Sequence, residues 1–411
     1  VRFSTCCFKD ERSGRMVNVR KFQDLFCDPV DASISLRELK LLSWLSHENI
    51  LSVIDVLPVP GLDFKDIYAI TEHVDTDLHR VIHSKQQLTV EHVQYFTYQV
   101  LCGLKYLHSA GLATGGMAPS TVGVNRDCSL KIMDLSNATS SLRAAQFQCS
   151  DAVSHSFRSA APTPETLLGC TPGPESDMWA CGAILFELIS RKPMLSPGRD
   201  RLRMIRQLVS HLGSPLESDL DWLPPRGSAK AFVRGLPHSE GTPLATLCPQ
   251  ATRAALELLG TLVRFSPRDR PSAKEALASP FLEELHCPDD EPEAASPFDL
   301  AGATSGHDDT QLRNLAYLEC ASYREELLAR DAEELRASGI WSLLMEQKWS
   351  GQYWPKWRPQ LQAHWHGVSL LVLKSDDPGL RALADALTDW GLRLALIKYL
   401  LPWHWSTPLG H

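Results

Sequence analysis

The apolar residues of this 411-residue chain change their period near residue 80. Before that point Met16–Phe22 alternates apolar and polar residues at period two, as a half-buried strand does, and residues 67–71 form a second short apolar strand. Residues 31–45 between them carry a helical pattern. From residue 90 onward helices dominate. Val93, Phe96, Val100, Leu104 and Leu107 recur at three and four, and Ala255, Leu258, Leu259, Leu262 and Val263 do the same. Two periods in this order predict an α+β chain: a small strand-rich lobe with one helix, then a larger helical lobe.

Lys and Arg total 41 against 49 Asp and Glu, a net charge of −8, which argues against a nucleic-acid surface and for a soluble protein. The eleven cysteines are scattered, with no CxxC pair and no metal-ligand spacing, so reduced thiols are expected. No signal peptide or membrane span is expected, because the most apolar stretch, residues 383–401, carries Asp385, Asp389, Arg393 and Lys398. The chain begins at Val1 rather than Met, which reads as an incomplete N-terminus. Residues 287–310, rich in Pro, Asp, Glu, Ala and Gly, read as an extended segment, and a helix over 311–338 is ended by Gly339. The last 81 residues hold eight of the eleven tryptophans. Within them a helix opens at Asp377-Pro378 and carries one apolar seam from Leu380 to Leu401, which packs on the chain itself or on a partner.

Several strings stand in a fixed order. Leu36-Arg37-Glu38-Leu39-Lys40 precedes Ser46-His47-Glu48-Asn49-Ile50, and Asp75-Thr76-Asp77-Leu78 follows. Residues 98–111 read YQVLCGLKYLHSAG; then come Asp177-Met178-Trp179-Ala180-Cys181-Gly182, Leu212-Gly213-Ser214-Pro215 and Pro288-Asp289-Asp290-Glu291-Pro292. In this order and spacing the strings resemble the MAP kinase family over residues 3–330, and residues beyond 330 match no family pattern. The resemblance implies a bilobal protein-kinase fold. The lobes are placed at 1–75 and 76–286, with an acidic docking segment and extension at 287–338 and the Trp-rich tail at 339–411.

Kinase chemistry is positioning plus charge neutralisation, so the resemblance can be followed part by part. The third glycine of the phosphate-covering loop falls at Phe3. The strand lysine falls at Arg20, larger and forked, with Glu38 as its C-helix partner. Thr71 stands at the gatekeeper position, and Glu72, His73 and Val74 supply hinge backbone groups, so Arg20, Glu38, Thr71, Glu72 and Val74 mark the nucleotide site. Where the family carries the catalytic aspartate, lysine and asparagine, this chain carries Gly116, Ala118 and Thr121. Asp134 of Asp134-Leu135-Ser136 is the remaining metal candidate, either binding magnesium or capping local backbone. The dual phosphorylation site falls on Val153-Ser154-His155, and the substrate platform, over residues 158–165, has lost its aromatic pair. Glu165, Asp177, Trp179 and Arg270 match structural anchors of the fold, Glu165 and Arg270 as a buried ion pair.

The resemblance thus implies a MAP kinase homologue without phosphotransfer, acting as scaffold, docking partner or competitor in MAP kinase signalling. Two alternatives stay open: a Ser/Thr kinase with atypical catalytic residues, and a degenerate product without function. No cofactor is expected beyond weak binding of ATP and magnesium. The docking residues matched are Asp289, Asp290 and Glu291 with Thr76 and Asp77, and groove positions Leu88, His92 and Tyr95. Expected partners are upstream kinases, substrates and phosphatases bearing basic-hydrophobic motifs, with no nucleic acid and no membrane, in the cytoplasm or nucleus.

Overall fold

The structure is a computed structural model that describes residues 3–11, 13–57, 59–61, 63–140, 162–196, 200–224, 227–298, 300 and 309–323. Most of the expected activation segment and the whole Trp-rich tail, where the seam helix is expected, lie outside the described residues. The chain divides into two compact units. One comprises Val1–Ser35, Val53–His73 and His307–His411; the other comprises Leu36–Ser52 and Val74–Gly306.

The first unit is built on a four-stranded antiparallel sheet of β1 (Phe3–Lys9), β2 (Met16–Phe22), β3 (Val53–Val56) and β4 (Ile67–Glu72), in the order β1-β2-β4-β3. The period-two reading of β2 matches its bounds, and Val17 and Val19 are 1% and 5% exposed. The β1–β2 hairpin closes where Asp10 N–H donates to the Arg15 carbonyl at 2.8 Å. A late helix, described over Asp309–Tyr323, packs against β3. Its Arg313 guanidinium lies 4.3 Å from the Phe26 ring centroid and donates to the Phe64 carbonyl.

The expected first helix is α1 (Pro29–Trp44), which the division between units cuts after Ser35. The second unit then opens with its C-terminal part, followed by His47, buried against the Tyr106 ring at 4.9 Å. There β5 (Thr76–Asp77) leads into α2 (Leu78–His83), then α3 (Val90–Ser109) and β6 (Leu112–Ala113). Thr89 caps α3, and its N–H is satisfied by His92 Nδ1 at 3.2 Å. Strand β7 (Val122–Val124) pairs with β5 on one side and β8 (Leu130–Ile132) on the other in a three-stranded sheet, and β6 pairs with β9 (Thr139–Ser140). The helices follow: α4 (Pro164–Leu167), α5 (Pro174–Ser190), α6 (Arg201–Leu212), α7 (Ser228–Arg234), α8 (Leu244–Leu247), α9 (Arg253–Leu262) and α10 (Ala273–Leu277). The late helix of the first unit is α11. Helix α5 is almost wholly buried, between α3 and α9.

The expected extended segment wraps α3. Ser109 Oγ accepts from Ala294 N–H at 2.8 Å, Phe298 N–H donates to the Ala110 carbonyl at 2.8 Å, and the Phe298 ring meets Trp44 edge-on at 5.1 Å. Among the described residues no helix is long and apolar enough to cross a membrane. Among the described residues nine cysteines are free thiols, as expected, but Cys170 is disulfide-bonded. That corrects the reduced-thiol expectation: bridging depends on Cα atoms lying within about 7 Å in space, which scattered sequence positions do not reveal.

Candidate phosphotransfer site and docking face

In the first unit β2 carries Arg20 opposite Thr5 of β1 and Ala69 of β4. Successive strand residues face opposite ways, and the neighbouring Lys21 is engaged with Asp66 at 3.2 Å. Arg20 is 9% exposed and Thr71, paired with Asn18, is 3% exposed. Glu72 closes β4.

In the second unit Glu38 is buried in α1. Its neighbour Arg37 reaches the Asp134-Leu135-Ser136 string, donating from Nη2 to the Ser136 carbonyl at 2.5 Å. Nothing in the motif alignment singled Arg37 out. Its charge at the start of the Leu36–Lys40 string was the available signal.

The segment after β6 holds Gly116, Ala118 and Thr121. Thr114, standing where the family carries histidine, donates from Oγ1 to Asp177 Oδ1 at 2.5 Å and from N–H to Oδ2 at 2.9 Å. His108 Nε2 adds a third contact to Oδ2 at 3.0 Å, and Asp177 is 1% exposed. A small hydroxyl thereby keeps the anchor of this loop on α5. Beyond it the backbone turns through Gly115 at φ +73° and Gly116 at φ +145°, a region that residues with a Cβ rarely enter. A Cβ on Gly115 would stand 1.9 Å from the Asn137 carbonyl oxygen. The loop backbone, and not only its side chains, is therefore shaped for glycine.

The two remaining positions are committed elsewhere. Ala118 is 1% exposed, and Thr121 Oγ1 both accepts from Ala118 N–H and donates to the Ala118 carbonyl at 3.0 Å. Asp134 Oδ1 accepts from Ser136 N–H at 2.9 Å, the local backbone cap that was one of its two readings. A magnesium ion takes hard oxygen ligands, several of them charged. One carboxylate already bonded to Ser136 and one hydroxyl closed on Ala118 do not fit it. Among the described residues no cluster of three metal-ligating side chains is present.

Glu165 and Arg270 form a two-pronged pair, Nη1 to Oε1 and Nη2 to Oε2, each at 2.8 Å, with both side chains at 0% exposure. Ser176 Oγ donates to Glu165 Oε1 at 2.6 Å, and the guanidinium lies 5.0 Å from the Trp179 ring centroid. Burial alone would raise the Glu165 carboxyl; the Arg270 charge and hydrogen bonds outweigh it and hold the group below its ordinary range.

The docking candidates separate. Asp289 and Asp290 sit exposed on a single turn of 3₁₀-helix, Pro288–Asp290. Glu291 does not join them: it is 3% exposed and accepts from His286 Nδ1 at 2.7 Å, Cys287 N–H at 3.2 Å and Lys105 Nζ at 3.3 Å. Its place in the docking set is corrected, since an inward carboxylate holding a buried lysine of α3 is a packing element. Asp77 caps α2 through Arg80 N–H at 2.8 Å, and Thr76 pairs with Val124. Leu88 lines an apolar cavity with Val93, Leu188, Ile189, Ala255 and Phe281, whereas His92 closes the cap of α3 and Tyr95 is 39% exposed. Val153-Ser154-His155 lies outside the described residues.

The sequence matches the protein kinase domain family over residues 4–282. It is 37% identical to mitogen-activated protein kinase 3 of Arabidopsis thaliana over 316 residues, which is 76% of this chain and 84% of that protein. The chain belongs to the MAP kinase family. Mitogen-activated protein kinase 1 of Oryza sativa subsp. japonica is 35% identical over 323 residues, 78% of this chain and 79% of that protein. A tobacco homologue, NTF6, is 36% identical over 320 residues, 77% of this chain and 84% of that protein. In this MAP kinase homologue the β-sheet small lobe and helical large lobe are those of the protein kinase fold.

Proposed function

We propose that this MAP kinase homologue does not transfer phosphate and instead acts as a docking partner or competitor in MAP kinase signalling. The observation that carries the reading is the Gly115-Gly116 turn. A catalytic aspartate at 116 would need φ near +145°, and any side chain at 115 would meet Asn137. Losing general-base help alone costs roughly 10²–10⁴-fold in rate, and Ala118 and Thr121 remove charge neutralisation and a metal ligand as well. Meanwhile the Glu165–Arg270 pair and the Asp177 anchor, which support fold rather than chemistry, are intact. The exposed Asp289 and Asp290 favour basic peptide partners, the kind of contact expected of upstream kinases, substrates and phosphatases.

The test is a radiolabelled-phosphate assay on purified full chain, before and after treatment with an upstream MAP kinase kinase. No turnover on a generic MAP kinase substrate is expected, and Gly116→Asp alone restores none. Turnover abolished by a change at Asp134 overturns the reading.

A further inference from the structure

Cys7 of β1 stands opposite Asn18 of β2, and Asn18 stands opposite Thr71 of β4. Directly paired strand residues share a face of the sheet, so these three side chains form one row across it. His73, the residue after β4 ends, turns its ring to the same row: Nδ1 lies 3.4 Å from Cys7 Sγ and 3.1 Å from Asn18 Oδ1. A thiol, an imidazole and an amide oxygen thus meet at a single nitrogen, set there by the register of three strands. Arg20, paired with Thr5, lies on the same face one pleat along.

We propose that Cys7 is an activated nucleophilic thiol, with His73 as its proton acceptor and Asn18 as a positioning residue, and that it is a covalent modification site for soft alkylating electrophiles. The argument rests on proton accounting. In the neutral pair a protonated Nδ1 donates to Asn18 Oδ1 while the thiol sulfur beside it is only a weak acceptor, so the Cys7 contact contributes little. Moving the proton from Sγ to Nδ1 makes an imidazolium whose one N–H is shared by thiolate sulfur and amide oxygen, and both contacts are then satisfied. A neighbouring cation on the same face adds to this, because thiolates are stabilised beside His⁺ and Arg. The thiolate forms a bond to the electrophilic carbon, the carbon–halogen bond breaks, the halide departs with its electron pair, and the proton on Nδ1 passes to water. Cys7 is only partly buried, so a small reagent has access.

The test uses the full chain and limiting iodoacetamide, with adduct formation at Cys7 and at the exposed free thiol Cys27 followed by peptide mass spectrometry. The readout is the ratio of rates at pH 8.5 and pH 6.5, which does not depend on how accessible each sulfur is. An ordinary thiol with pKa near 8.5 speeds up about 50-fold across that range. The expected result is that Cys7 changes less than threefold, far below the ratio measured for Cys27. In His73→Phe the Cys7 ratio rises to that of Cys27, and in Asn18→Ala it moves part of the way, with thermal melts showing that both variants fold. If Cys7 in the unaltered chain follows the Cys27 profile, or if the His73→Phe variant folds and keeps a flat profile, the proposal is overturned. Should the variants fail to fold, the profile of the unaltered chain decides alone.

Discussion

His47 illustrates how one buried group contributes to the pH response of the large unit. It is 8% exposed, its Nδ1 accepts from Asn49 N–H at 3.0 Å, and burial, aided by the Lys131 charge, pushes the imidazole down to about 4. The unfolded chain binds a proton on this residue below about 6.5, whereas the folded one resists until about 4. Stability therefore falls as pH drops from 6.5 to 4, by up to about 3 kcal/mol from this residue, and is unaffected by it above 7. Thermal melts between pH 7 and pH 4 are expected to show that loss, and His47→Gln to flatten it. The Glu165–Arg270 pair makes a second prediction. Glu165→Gln leaves a guanidinium buried beside a neutral amide, which costs about 3–5 kcal/mol and lowers the melting temperature by about 10 °C. A melt within 2 °C of the unaltered chain would show that the pair contributes little.

At the scale of elements, period was readable and direction was not. The alternation of residues 16–22 and the three-and-four spacing from Val93 led to β2 and α3, because burying one face leaves a rhythm in the sequence. Pro288-Asp289-Asp290-Glu291-Pro292 has no rhythm and reads as one acidic run. In space its first two acids face outward, and the third turns in to Lys105, some 186 residues earlier. A one-residue reversal within a turn leaves no trace in composition. Gly116, Ala118 and Thr121 at the expected catalytic positions were equally plain in the sequence, yet the positive φ angles of Gly115 and Gly116 were not. Docking follows the geometry: a labelled basic-hydrophobic peptide binds at low salt, and Asp289→Asn with Asp290→Asn weakens it severalfold and reduces its salt dependence. Glu291→Gln, by contrast, lowers the melting temperature. Equal binding by the double substitution would remove the acidic turn from the docking surface.

For the whole molecule the nucleotide question is thermodynamic. A ligand that binds only the folded chain raises its stability by about 2.7 kcal/mol when present at 100 times its Kd. Arg20 in place of lysine, glycine in place of the catalytic aspartate and a donor set unsuited to magnesium predict no such rise. Millimolar magnesium-ATP is expected to move the melt by less than 1 °C, and a shift of several degrees would revive the atypical-kinase alternative.

The packing of α11 on β3 has a further consequence, for synthesis. The small unit takes its sheet from the first 73 residues, but Arg313, which lies over Phe26, arrives about 250 residues later. At roughly 5–20 residues per second, a ribosome needs on the order of 10–50 seconds to cover that distance. Over this interval the emerging sheet waits without its last layer, so the part of the protein made first is the part completed last.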